Sequence, residues 1–191
     1  MFMPKYMSTR LQNGTTSDAI GNYSSAEENF VYQVPENGIA AITRMIITIQ
    51  DGSNDLYPDE YGGISALTNG ITVKIKDKDD NDVYYLVSNT VTGQSVGSSP
   101  EKIKTNQDWA AVSYDFNRVL HAGSLADMGQ FRWTFARSGS PIILEYQEKF
   151  CVTCNDDFSD LTHHFFTIQG LEAKDNGVYR DYFFHNLVGS G

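Results

Sequence analysis

Apolar and polar residues alternate with a period of two along much of the chain, the signature of strands that turn one face to a core. Phe131, Trp133 and Phe135 alternate with Gln130, Arg132 and Thr134, and Ile71, Val73 and Ile75 alternate with Thr72, Lys74 and Lys76. Phe30, Tyr32 and Val34 share a face before Pro35-Glu36-Asn37-Gly38, whose residue types favour a turn. In residues 41–50, Met45, Ile47 and Ile49 share one face while Ile42 and Ile46 make the other partly apolar. That double-sided pattern predicts a central strand covered on both faces, or one meeting another subunit. Further strands are expected at 83–87, as hairpin partner of 71–76, and at 109–116, 142–144, 149–154 and 163–169, the last closed by Gly170. Residues 178–188 are expected to add an edge strand or to dock on a neighbour.

Eight to ten short strands, no amphipathic helix and no internal repeat predict an all-β protein, an antiparallel β-sandwich or jelly roll, rather than a parallel α/β fold or a propeller. Residues 51–69 and 88–107 read as long loops, rich in Gly, Ser, Thr and Asn. Residues 1–28 carry no sustained period, and Met3, Tyr6 and Met7 give that stretch apolar anchors. The organisation expected is an N-terminal arm at 1–28, a sandwich domain at 29–170 and a C-terminal extension at 171–191. Tyr182, Phe183 and Phe184 in that extension, with Met3, Tyr6 and Met7 in the arm, are the interface candidates.

Composition narrows the function. The chain has 191 residues, enough for one compact domain with a core, and 13% of them are aromatic. Its formal net charge of −10 repels nucleic acid and anionic membrane surfaces. No stretch approaches a bilayer span, and the first residues lack the basic and apolar regions of a secretory leader. Cys151 and Cys154 stand three apart in an alternating stretch, so their side chains leave opposite faces, against a mutual disulfide or a shared metal.

Candidate chemistry is sparse. Asp77, Asp79 and Asn81 have the alternate spacing that opens a calcium loop, but Asp82 and Ser88 stand where such a loop needs Gly and a bidentate Glu. A hairpin turn is the expected role. Asp156, Asp157 and Asp160 could hold a cation or act as an acid and base pair, yet no Glu or His in the same loop completes a cation shell. A turn is again expected, built on Asn155 and Asp156. His163 and His164, adjacent on a strand, face opposite ways and do not converge on one ion. No nucleophile elbow, zinc-protease pair or phosphate-cradling glycine pattern occurs, so the expectation is no enzyme, no cofactor and no resident metal.

The order of several short segments resembles a group of small virion proteins of tailed bacteriophages. These are residues 30–34 before a Pro-Gly turn, Ile42-Thr43-Arg44-Met45 leading to Asp51, and Leu67-Thr68-Asn69-Gly70-Ile71. Lys104-Thr105-Asn106 before Trp109, Tyr114-Asp115, and Arg132-Trp133-Thr134-Phe135 with Ser138-Gly139 follow. Asn155-Asp156-Asp157 leading to Leu161, Phe165 and Gln169-Gly170 closes the series. The resemblance spans residues 10–170 and implies a jelly-roll-like structural subunit, made in the host cytoplasm and resident in the virion. Its implied partners are further copies of itself, as a trimer or larger ring, and capsid, neck or tail proteins. Capsid decoration or cement and neck or tail adaptor are the competing positions. The reading from another class is a glycan-binding module on a host-contacting fibre, with Tyr57, Tyr61 and Trp109 stacking on sugar rings.

Overall fold

The computed structural model describes residues 4–13, 28–51, 67–86, 94–95, 117–120, 127–134, 141–154, 156–158 and 161–174. They form eleven strands: β1 (Lys5–Arg10), β2 (Glu28–Gln33), β3 (Gly38–Asp51), β4 (Ile71–Lys76), β5 (Asp82–Leu86), β6 (Gln94–Ser95), β7 (Asn117–Leu120), β8 (Asp127–Thr134), β9 (Ile142–Glu145), β10 (Lys149–Cys154) and β11 (Leu161–Lys174). No helix occurs among the described residues. The strands make two antiparallel sheets. One is ordered β1-β11-β3-β8-β7, with β9 continuing alongside β3, and the other is ordered β2-β10-β4-β5-β6. Their inner faces share one core. Phe30, Ile71, Val73, Ile75, Phe150 and Val152 of one sheet pack against Ile42, Met45, Ile47, Phe166 and Ile168 of the other. The Phe30 and Phe166 rings, 5.7 Å apart, join the two layers at the centre. This is the packing of a β-sandwich.

The first strand pairs with the last, β2 with β10, β3 with β8 and β9, and β4 with β5. In addition β11 meets β3, β10 meets β4, β5 meets β6 and β7 meets β8.

Two register shifts decide which residues face inward. Along β3 and β11, Arg44 opposes Gln169 but Ile42 opposes Gly170, which leaves Thr43 as an extra residue. A bulge of this kind inverts the parity of a strand. Ile39 and Ala41 therefore lie on the outer face, while Ala40, Ile42, Met45, Ile47 and Ile49 all enter the core. The sequence pattern put Ile42 opposite Met45; the bulge puts both on the same side, and only Ile46, half-buried, keeps the outward position. The Thr43 hydroxyl donates to the Gln169 carbonyl at 3.1 Å, satisfying a group at the irregularity. Gly170 is the other half of the device. A Cβ there would stand 2.0 Å from the Ala41 carbonyl oxygen, so the two strands approach more closely than any side chain allows. Far from closing the strand, Gly170 sits inside β11, which runs on to Lys174. A second shift leaves Thr162 extra and brings Leu161 and His164, three apart, to the core side.

Both expected domain boundaries meet strands. Lys5–Arg10, inside the stretch read as an arm, is the edge strand β1, and residues 171–174 continue β11 past the expected end at 170. Thr72 and Lys74 of β4 point away from the core as their alternation predicts, yet they are buried, as are Cys151 and Thr153 on the same face of β10. The predicted strands at 109–116 and 178–188 lie outside the described residues.

Candidate functional site

The Asp77 to Asn81 segment is a self-contained turn between β4 and β5. Asp77 Oδ1 accepts from the backbone amides of Asp79 at 2.8 Å and Asn81 at 2.9 Å, and Oδ2 accepts from Asn81 Nδ2 at 3.0 Å. Those bonds, that of the Asn81 side chain first, hold the Asp77 carboxyl below the usual carboxylate range. Asp79 is engaged by Lys78 at 2.6 Å. Asp80, at φ 67°, meets Lys149 at 2.6 Å, which lowers its carboxyl too. The alternate acids are spent on the turn and on neighbouring lysines. Among the described residues no group of three or more His, Cys, Asp or Glu is placed to hold a metal ion.

Asp156 does something different from the expected local turn. Its carboxylate is buried and reaches back more than eighty residues along the chain. Oδ1 accepts from the amides of Thr68 at 3.0 Å and Asn69 at 2.9 Å; Oδ2 accepts from Asn69 at 3.1 Å and Gly70 at 2.6 Å. Three successive amides on one carboxylate form an anion nest that the protein fills itself. Gly70, at φ 80°, supplies the left-handed conformation beside it. The clamp holds the approach to β4 against the end of β10, and Asp157 beside it is exposed. Asp160 lies outside the described residues.

Histidine and cysteine positions follow strand geometry. His163 is exposed, while His164 is buried between the rings of Phe158, 4.5 Å away, and Phe166, 4.8 Å away. Cys151 is on the outer face of its sheet and Cys154 on the inner; both are buried, and neither forms a disulfide. Burial pushes the Cys151 thiol up to about 11, against the pull of Lys76, Lys74 and Lys149.

Of the six interface candidates, Tyr6 and Met7 are described, and they divide. Tyr6 is 64% exposed, while Met7 is 4% exposed and packs in the core. Met3, Tyr182, Phe183 and Phe184 lie outside the described residues, as do the sugar-stacking candidates Tyr57, Tyr61 and Trp109.

The candidate functional site is the sheet edge that holds β1. Met7 and Leu11 drop into the core from this segment as two pegs four residues apart. Leu11 N donates to the Phe166 carbonyl at 2.9 Å, and Gln12 and Val31 exchange backbone bonds of 3.0 and 2.8 Å, so the segment crosses from one sheet to the other. Lys5 Nζ meets Glu172 at 2.9 Å, and Gln169 Nε2 donates to the Ser8 hydroxyl at 3.3 Å. The Arg10 guanidinium lies 3.6 Å over the centre of the Phe165 ring. Across the mouth of the sandwich the Tyr32 hydroxyl reaches Glu172 at 3.5 Å. Burial first, then the Glu172 charge and bond, push that phenol up to about 12. Such an arrangement holds the N-terminal strand on the sandwich through backbone pairing, apolar pegs and an ion pair. Alternation alone does not reveal it, because KYMSTR has a single strongly apolar position.

No protein-family model matches the chain, and no curated protein or solved structure matches it either.

Proposed function

We propose that the chain is a non-enzymatic structural protein of a tailed-bacteriophage virion. It is built as a jelly roll and works by burying surface against further copies of itself and against capsid, neck or tail proteins. The observation that carries the reading is the strand order. In each sheet, four of the strands follow β1-β11-β3-β8 and β2-β10-β4-β5. That order agrees with the two nested Greek keys of a jelly roll, an architecture of viral capsid domains and of lectins, and supports the reading. The segment resemblance, the net charge of −10 and the use of the acidic turns for internal bonding support the same reading. In this role the protein is a capsid decoration or cement, or a neck or tail adaptor, with the N-terminal stretch and the residues after Lys174 extending towards neighbours.

The test is particle composition and location. A tagged chain should co-purify with intact particles at a copy number set by head or tail symmetry, and gold labelling should place it at one structural position. Particles that lack the chain after purification would refute the proposal. Because lectins share the architecture, the same protein is applied to a glycan array. Saturable binding lost in Trp109→Ala, with no particle incorporation, would transfer the assignment to a host-contacting glycan-binding module.

A further inference from the structure

We propose that residues 5–12 form an exchangeable strap: on assembly, β1 of one copy occupies the β11 edge of a second copy. This rests on the structural-subunit reading above and names the partner of that edge as the same chain. Every contact described for the strap is portable. Its pegs Met7 and Leu11, its ion pair from Lys5 and its bonds from Ser8 and Gln12 all end on β11, the core or Val31. None depends on which chain supplies the segment, so the cis and trans forms have the same contacts. An empty β11 edge would leave a row of unpaired backbone groups, so one strap or another must fill it.

The connection decides between cis and trans. Gln12 and Val31 already pair across the corner, which a short turn could close. Instead residues 14–27 intervene, with two glycines and a majority of polar residues. Fully extended, a stretch of that length spans on the order of 45 Å, enough to cross to an adjacent subunit. In dilute solution a short tether supplies an effective concentration in the millimolar range and favours the cis strap. Packed subunits at fixed positions compete on equal terms, and exchange then links them without any new contact surface.

Ser8 and Gln169 provide the test. They are Cα partners in the β1 and β11 register, and they flank the bonded pair Leu11 and Phe166 at odd spacing, which makes theirs a non-hydrogen-bonded pair. Such pairs stand about 4.5 Å apart, within disulfide reach. The two native cysteines are buried and form no disulfide. Ser8→Cys and Gln169→Cys chains of different tag length are mixed at equal amounts, unfolded, refolded together, concentrated or assembled into particles, and oxidised. Exchange gives the mixed-length covalent dimer on a non-reducing gel, with a mass that joins peptides containing positions 8 and 169. The double variant reports the cis strap as a closed monomer when dilute and shifts to covalent multimers on assembly. A double variant that stays a closed monomer in every state, with no mixed dimer from the single variants, overturns the proposal. Failure of the double variant to close at all overturns it as well, because the β1 register itself would be wrong. If particles lack the chain, the virion assignment fails by that measurement, while oxidation of the concentrated chain still decides the strap.

Discussion

Replacing Gly170 with alanine tests the geometry that sets the parity of β3. The new methyl would lie 2.0 Å from the Ala41 carbonyl oxygen, 2.9 Å from its carbon and 3.0 Å from the Ile42 Cα. All three are backbone atoms, so no side chain can swing aside, and contact at normal distance needs a displacement of more than an ångström. The displaced strand is tied on both sides, by Met7 opposite Gly170 in β1 and by Ile42 in β3. Overpacking of a tight site costs about 1–3 kcal/mol, and the rigidity of these atoms puts Gly170→Ala at the upper end. For a chain of this size each kcal/mol lowers Tm by about 2–4 °C, so a drop of about 6–12 °C is expected. Urea unfolding followed by tryptophan fluorescence and thermal unfolding followed by circular dichroism measure it. Thr43→Val removes the bond to the Gln169 carbonyl and should cost about 1 kcal/mol. Because both residues serve one bulge, the double variant should lose less than the sum of the two. A Gly170→Ala protein within about 0.5 kcal/mol of the parent would refute the close approach, and with it the account of why Ile42 and Met45 share a face.

Asp156→Asn keeps the shape but turns an amide towards the amides of Thr68 to Gly70. It should cost about 2–4 kcal/mol, whereas Asp157→Asn, at an exposed position, should change stability by less than about 0.5 kcal/mol. Tyr32 has a folded pKa raised to about 12 from an ordinary 10, so its contribution to stability is complete below pH 10 and is lost as pH rises from 10 towards 12. Tyr32→Phe should flatten that part of the stability profile, and an unchanged alkaline slope would remove Tyr32 as its cause. Cys151 and Cys154 should resist a thiol reagent at pH 8 in the folded protein and react fully in denaturant; fast labelling of the native state would contradict their burial. The β9-β10 turn holds Tyr146 at φ 27° and Gln147 at φ 62°, a conformation suited to Asn-Gly. Tyr146→Asn with Gln147→Gly should therefore raise stability by about 0.5–1 kcal/mol, and a lower denaturation midpoint would contradict the strain.

Much of the core is legible from alternation because each strand reports its own buried face. Phe30 and Val34, the inward set of Ile71 to Ile75, and the Phe150 and Val152 pair all lie where the period of two puts them. Alternation fails where the backbone inserts a residue. Ile42 reads as outward because Thr43 looks like an ordinary strand position, and nothing local marks it as extra. Gly170 carries a faint signal, since a glycine between Gln169 and Leu171 in a strand pattern points to a bulge as readily as to an end. The candidate site was less legible. Met7 and Leu11 are too widely spaced in a polar stretch to announce a strand. Asp156 reads as a turn residue because its three donors come from Thr68, Asn69 and Gly70, far away in sequence.

By itself the sequence determined the class of element and the faces of most strands, since these depend on side-chain type at a spacing of one or two residues. It also determined the acidic balance and the self-satisfied turn at Asp77, whose partners lie within four residues. Tertiary structure alone decided which strands are neighbours, that the first joins the last, and that a buried carboxylate clamps a distant loop. It also decided that Thr72 and Lys74, though turned away from the core, are shielded from water. The physical reason is range. Backbone pairing, parity-inverting bulges and burial of an outer face arise between segments that can stand more than 150 residues apart, as Ser8 and Gln169 do, and a local pattern carries no record of that partner.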